Sequence, residues 1–222
     1  MNKKIIDIAK KSKVIVIKVG SNILVNDKHS LRKKWLGTLV SDVQKLRKKG
    51  SKVIIVSSGA IALGRNILSK KKLTNLHEKQ AAASIGQIQL SQQWQKAFAK
   101  EKIQSSQILI TAEDLNERRK YLNIRNTIFS LMDLNVIPII NENDTTSTEE
   151  IRFGDNDKLS AMIANALSAE LLILLSDVNG LYTSNPKKSL DAKLITDVDE
   201  INQDLEKFID KDLSEFGSGG ML

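Results

Sequence analysis

Five short runs of β-branched and other apolar residues punctuate the chain: KVIVIKVG (Lys13 to Gly20), KVIIVSSGA (Lys52 to Ala60), SQILIT (Ser106 to Thr111), VIPIIN (Val136 to Asn141) and ELLILLSD (Glu170 to Asp177). Nearly continuous apolar character, without the alternation of a half-exposed strand, predicts strands buried on both faces. Each run ends in small or polar residues. Elsewhere the apolar positions recur at helical spacing: Leu31, Trp35, Leu39, Val43 and Leu46; Ala82, Ile85, Ile88, Trp94 and Phe98; Leu122, Ile128, Leu131 and Met132; and Leu159, Met162, Ile163 and Leu167, with Asp157 placed to cap the last of these helices. Alternation of strand and helix predicts an α/β protein with a mainly parallel sheet covered by helices on both faces.

No composition shift, linker or repeat divides the 222 residues, so a single domain is expected. Tyr182 to Asp191, which includes TSNPKKS, reads as a surface excursion. A hydrophobic content of 41% supports a substantial core, and the absence of cysteine removes disulfides, thiol nucleophiles and thiolate metal sites. No apolar run reaches the roughly 18 residues a membrane helix needs, and MNKKIIDIAKKSK lacks the apolar centre of a signal peptide, so a cytoplasmic protein without a membrane partner is expected.

Lysine and arginine number 34 against 26 acids, a net charge of +8, with clusters at Lys10 and Lys11, Arg32 to Lys34, Arg47 to Lys49 and Lys70 to Lys72. The clusters lack aromatic interleaving or a nucleic-acid reader motif and are read as solvated helix faces. One stretch opposes this balance. INENDTTSTEEIRFGDNDKLSA, Ile140 to Ala161, holds six carboxylates and three asparagines in 22 residues. It begins where the buried run VIPII ends, and ligands of open α/β sheets bind at the carboxyl ends of the strands.

Other strand ends have related chemistry. Lys18, Gly20 and Ser21 follow the first strand, Ser57, Ser58 and Gly59 the second, Ser176 and Asp177 the fifth. Hydroxyls, a lysine and glycines that let backbone amides approach closely suit a phosphate or carboxylate. Neither GxxxxGK[ST] nor GxSxG is present. The two histidines, His29 and His77, lie in lysine-rich polar segments and are read as exposed, which leaves no candidate for a protein-ligated zinc.

In order, VIKVGSNIL, VIIVSSGAIALGR, KQAAASIGQIQL, NIRNTI, VIPIINEND, FGDNDKLSA, LLSDVNGLYTSNP and FGSGGM resemble the amino acid kinase family over residues 13 to 221, and within it the branch that phosphorylates glutamate. The resemblance implies a three-layer αβα sandwich, with a substrate-binding lobe from about 13 to 165 and a nucleotide-binding lobe from about 166 to 222. It implies ATP-dependent phosphorylation of the γ-carboxylate of L-glutamate, with Mg2+ carried on the ATP phosphates, in a homo-oligomer of two or four subunits.

By that resemblance Asp144 takes the substrate ammonium, with Ser58, Gly59, Asn141 and Asn156 helping to bind the amino acid. Lys18 stabilises the transferring phosphoryl and Asp155 orients the catalytic lysines. Gly20, Ser21, Ser176, Asp177 and the glycine loop Gly217, Ser218, Gly219, Gly220 and Met221 contact the nucleotide. In the family that loop leads to a second lysine and further elements, and many members add an RNA-binding-like PUA module. The chain ends at Leu222 before these, so a truncated domain with doubtful activity is expected. The alternatives are a kinase of the same family acting on acetylglutamate, aspartate, carbamate or UMP, and a ligand-binding protein on the same scaffold.

Overall fold

The computed structural model describes residues 3–70, 72–147, 155–187 and 189–200. After helix α1 (Lys3–Lys11), strand β1 (Val14–Val19) leads through the single turn α2 (Ser21–Leu24) into α3 (Lys33–Lys48) and β2 (Lys52–Ser57). Helices α4 (Ala60–Ile67) and α5 (Leu76–Lys100) precede β3 (Ser105–Ile110). Then come α6 (Ala112–Asn116), α7 (Arg118–Asp133), β4 (Ile137–Glu142), α8 (Asp155–Ala166) and β5 (Leu171–Leu175). A small antiparallel ribbon, β6 (Leu181–Tyr182) with β7 (Leu194–Ile195), frames the expected surface excursion.

The main sheet has the order β3-β4-β2-β1-β5, and every pairing is parallel. All five apolar runs are strands within it, and the four periodic segments are α3, α5, α7 and α8. Sequence reading did not mark α1 or α6; the latter is too short for periodicity and is set by a capping box in which Thr111 and Asp114 bond reciprocally. Asp157 does not stand outside α8 as its cap. It lies in the first turn, because the helix already begins at Asp155.

Successive strand side chains point to opposite faces. Ile15, Ile17 and Val19 of β1, with Val53 and Ile55 of β2 and Ile137 and Ile139 of β4, pack in one core with Leu36, Leu63 and Trp94 of α3, α4 and α5. Val16, Ile54, Val56 and Ile140 pack in a second core with Ile128 of α7 and Leu159 and Ile163 of α8. Three layers result, with odd-numbered positions of β1, β2 and β4 facing the α5 side and even-numbered positions the α8 side. The same parity governs the polar residues at the strand ends.

Helices α4 and α5 approach at backbone distance. A Cβ added to Gly64 would stand 1.8 Å from the Ala82 carbonyl oxygen, and one added to Gly86 would stand 1.8 Å from that of Ala60. Among the described residues no helix is long and apolar enough to cross a membrane.

Candidate active site

Parallel pairing brings the carboxyl ends of β1, β2, β4 and β5 to one edge. Backbone hydrogen bonds join the loops there: Ser58 N–H donates to the Val19 carbonyl at 3.0 Å, and Gly20 N–H to the Leu175 carbonyl at 3.0 Å. Gly20 has an ordinary extended backbone, and its requirement is spatial: a Cβ would lie 3.2 Å from the Leu175 oxygen and 3.5 Å from Lys18 Nζ. Ser21 opens α2 beside it. Gly59 precedes α4 with φ +112°, a left-handed backbone that side chains disfavour.

Lys18 occupies an even position of β1, so its side chain runs to the α8 side, where Nζ lies 2.6 Å from Asp157 Oδ1. The two side chains are 11% and 10% exposed. Burial excludes most competing water, and the carboxylate also benefits from the positive end of α8. The partner of Lys18 is thus Asp157, to which sequence reading gave only a capping role. Asp155, which that reading placed beside the catalytic lysines, opens α8, and its side chain lies outside the described residues.

Asn141 lies at an odd position of β4, directed to α5, and is 2% exposed. Its Nδ2 donates to Gln87 Oε1 at 2.8 Å, and its Oδ1 accepts from the Glu142 N–H at 2.9 Å. The same N–H reaches Asn156 Oδ1 on α8 at 3.3 Å. Beyond Glu142 the chain turns tightly, with Thr146 N–H and Ser147 N–H both donating to the Asn143 carbonyl, at 3.0 and 3.1 Å. Asp144 sits in this turn, half-buried, and lines a cavity of about 260 Å³ with Gln87, Ser84 and Gln107.

At the end of β5, Ser176 Oγ accepts from the Val178 N–H at 3.4 Å. The Asp177 carboxylate accepts from Lys187 Nζ at 2.6 Å and from Asn22 Nδ2 at 3.3 Å. The Lys187 bond, and more weakly Asn22, hold the Asp177 carboxyl below its ordinary value against the opposing effect of partial burial. Gly217, Ser218, Gly219, Gly220 and Met221 lie outside the described residues.

The structure therefore gathers Lys18, Gly20, Ser21, Ser58, Gly59, Asn141, Asp144, Asn156, Ser176 and Asp177 around one sheet edge. Asp157, Gln87, Asn22 and Lys187, which sequence reading does not name as site residues, are in contact with Lys18, Asn141 and Asp177. For Asp157 a signal existed, since it lies among the acids of the run already singled out. Gln87 lies within KQAAASIGQIQL, one of the runs that carry the resemblance, but nothing in that run distinguishes it from Gln80 or Gln89.

The sequence profile of the amino acid kinase family matches residues 13–222. The glutamate 5-kinase of Pelagibacter ubique strain HTCC1062 is 51% identical over 213 residues, 96% of this chain and 58% of that protein. The glutamate 5-kinase of Nitrosospira multiformis is 47% identical over 220 residues, 97% of this chain and 58% of that protein. The chain thus spans 58% of the length of these two relatives. Among solved structures, an isopentenyl phosphate kinase in substrate complex has a TM-score of 0.63 at 17% identity, covering 94% of this chain and 89% of that one. A UMP kinase from Bacillus anthracis has a TM-score of 0.57 at 18% identity, over 82% and 72% of the two chains. At these identities the solved structures speak to the fold alone.

Proposed function

The chain belongs to the amino acid kinase family, and from that premise we propose that it transfers the γ-phosphoryl of ATP to the γ-carboxylate of L-glutamate, forming L-glutamyl 5-phosphate, the first step of proline biosynthesis. The observation that carries the reading is the buried Lys18–Asp157 pair beside the amide- and acid-rich end of β4. The choice of glutamate rests on the relatives named glutamate 5-kinase, at 51% and 47% identity.

A γ-carboxylate is already ionised near neutral pH, so the chemistry needs no general base. It needs an aligned nucleophile and cationic donors for the charge on the transferring group. Asp144 receives the substrate ammonium, while Ser58, Gly59 and Asn156 hold the remainder of the amino acid. With its Oδ1 directed to the Glu142 N–H, Asn156 offers the substrate its two amide donors. Lys18 Nζ stabilises the transferring phosphoryl, and Asp157, taking the orienting role assigned by resemblance to Asp155, fixes the ammonium in place.

Gly20 keeps a Cβ away from that ammonium, which leaves it approachable by a phosphoryl group. Ser21, Ser176 and Asp177 are the residues that would hold the nucleotide. Magnesium would supply charge neutralisation while riding on phosphate oxygens, for it commonly takes few protein ligands.

The test offers the purified full-length protein ATP and Mg2+ with glutamate, acetylglutamate, aspartate, carbamate or UMP in turn. ADP release is followed throughout, and hydroxylamine traps an acyl phosphate as its hydroxamate. Glutamate alone should yield both signals, and turnover with another acceptor in its place would overturn the reading. Asp144→Ala should lose about 3–5 kcal/mol of glutamate binding in calorimetric titration, the typical cost of leaving one member of a buried charge pair alone.

A further inference from the structure

Helix α5 touches four segments of the substrate half of the site: β2, the start of α4, β4 and the turn after it. Near its start, Gln80 Nε2 donates to the Ser147 carbonyl at 3.2 Å, holding the far end of the turn that contains Asp144. Two turns on, Gln87 Oε1 accepts from Asn141 at 2.8 Å. Between them Gly86 lies against the Ala60 backbone, in the first turn of the helix that follows Ser58 and Gly59. Further along, Trp94 Nε1 donates to Ser57 Oγ at 2.9 Å. None of these contacts reaches Lys18 or Asp177.

Gln87 has the largest leverage of the group. Asn141 is held at both ends of its amide: Nδ2 meets Gln87, and Oδ1 meets the Glu142 N–H that Asn156 also accepts. A buried amide can be flipped at little steric cost, so its orientation must come from a partner. The Glu142 N–H, which cannot turn, takes Oδ1 of Asn141, and Gln87 Oε1 then holds the Nδ2 end, so the amide is tied at both ends. Reversal would place two oxygens, or two N–H groups, face to face on each side.

We propose that Gln87 is a positioning residue: by holding the Nδ2 end of Asn141 it keeps that amide seated on the Glu142 N–H and, through the shared N–H, steadies the Asn156 amide that the amino-acid substrate meets. The inference rests on the function proposed above and adds to it a residue with no assigned role. Gln87 touches no reacting atom. It acts on affinity for the amino acid, leaving the nucleotide side untouched.

The experiment compares Gln87→Leu, which cannot accept a hydrogen bond, with Gln87→Glu, which keeps an acceptor oxygen, and with Gln92→Leu, an exposed control on the same helix. Leaving a buried donor unpaired typically weakens a site by about 10-fold. Gln87→Leu should raise Kd and KM for glutamate about 10-fold, with KM for ATP and kcat within about twofold of the parent. Gln87→Glu should recover most of that loss, and Gln92→Leu should match the parent.

Hydrogen exchange at the Glu142 amide supplies a readout independent of ligand: it should accelerate about 10-fold in Gln87→Leu while the β2 amides keep their protection. Unchanged glutamate affinity and unchanged Glu142 exchange in Gln87→Leu would overturn the proposal. Equal losses in the Leu and Glu variants, or a parallel rise in KM for ATP, would overturn it as well. A parent protein that binds no glutamate would bring down the proposed function and this inference together, whereas a parent that binds it alongside an indifferent Gln87→Leu removes the inference alone.

Discussion

The two halves of the site edge are held by different forces. On the α5 side the contacts are between neutral groups: Trp94 to Ser57, Gln87 to Asn141, Gln80 to Ser147, and glycine contacts between α4 and α5. On the side of α8 and the end of β5, Lys18 meets Asp157 and Lys187 meets Asp177. Neutral buried contacts are short-ranged and almost indifferent to salt, so they fix a shape. Charges answer to dielectric, pH and ionic strength, and their strength depends on burial. Lys18–Asp157 is about one-tenth exposed on each side, whereas Lys187 and Asp177 are 65% and 36% exposed. Under the function proposed above, the pocket that must recognise one shape is built of packing, and the place where charge would develop is built of charge.

The largest effect should come from the packed half. Gly86→Val puts its Cβ 1.8 Å from the Ala60 oxygen and 2.5 Å from the Gly64 nitrogen, so α4 and α5 must separate. A loss of more than about 3 kcal/mol in urea denaturation is expected, and a variant as stable as the parent would show that the helices are not locked.

Next stands Lys18→Met on the charged half. Turnover should fall about 10²–10³-fold, the usual loss when one preorganised donor to developing charge is removed, while glutamate affinity stays within about threefold. A fall explained wholly by weaker glutamate binding would erase the division between the halves.

The smallest effect belongs to the exposed pair. Lys187→Ala should cost no more than about 0.5 kcal/mol, and less in high salt. The Asp177 carboxyl is depressed in the folded protein, chiefly by Lys187. Its contribution is therefore present above the unfolded value near 3.9 and lost as pH falls from there through the folded value. The variant should raise the Asp177 titration midpoint, followed by carboxyl NMR, and narrow that acid window.

The strands were legible because the central β1, β2 and β4 are buried on both faces, which compels continuous apolar runs such as VIVIKV and VIPII, whereas the edge strands β3 and β5, expected to be buried as well, are only partly so. The acid-rich run after β4 was legible for a related reason, since a dense polar segment directly after a buried strand must lie where the core ends. What escaped notice was partnership. GDND holds two aspartates in adjacent register, and linear order gives no preference to the one that meets Lys18. Gln87 escaped because a glutamine inside a helix looks alike whether it faces water or a buried amide.

Local sequence determined the elements: β-branched runs made the strands, periodic apolar positions the principal helices, and small or polar residues their ends. It also determined the two-residue parity that sends Ser57 and Asn141 to one face of the sheet and Lys18 to the other. Only the tertiary structure decided which helix waits on each face: α5, with Trp94 and Gln87, on one side, and α8, with Asp157, on the other. Periodicity operates along a single element, whereas the pairing of Lys18 with a residue 139 positions away depends on strand order and helix placement, which arise when the whole sheet buries both its faces.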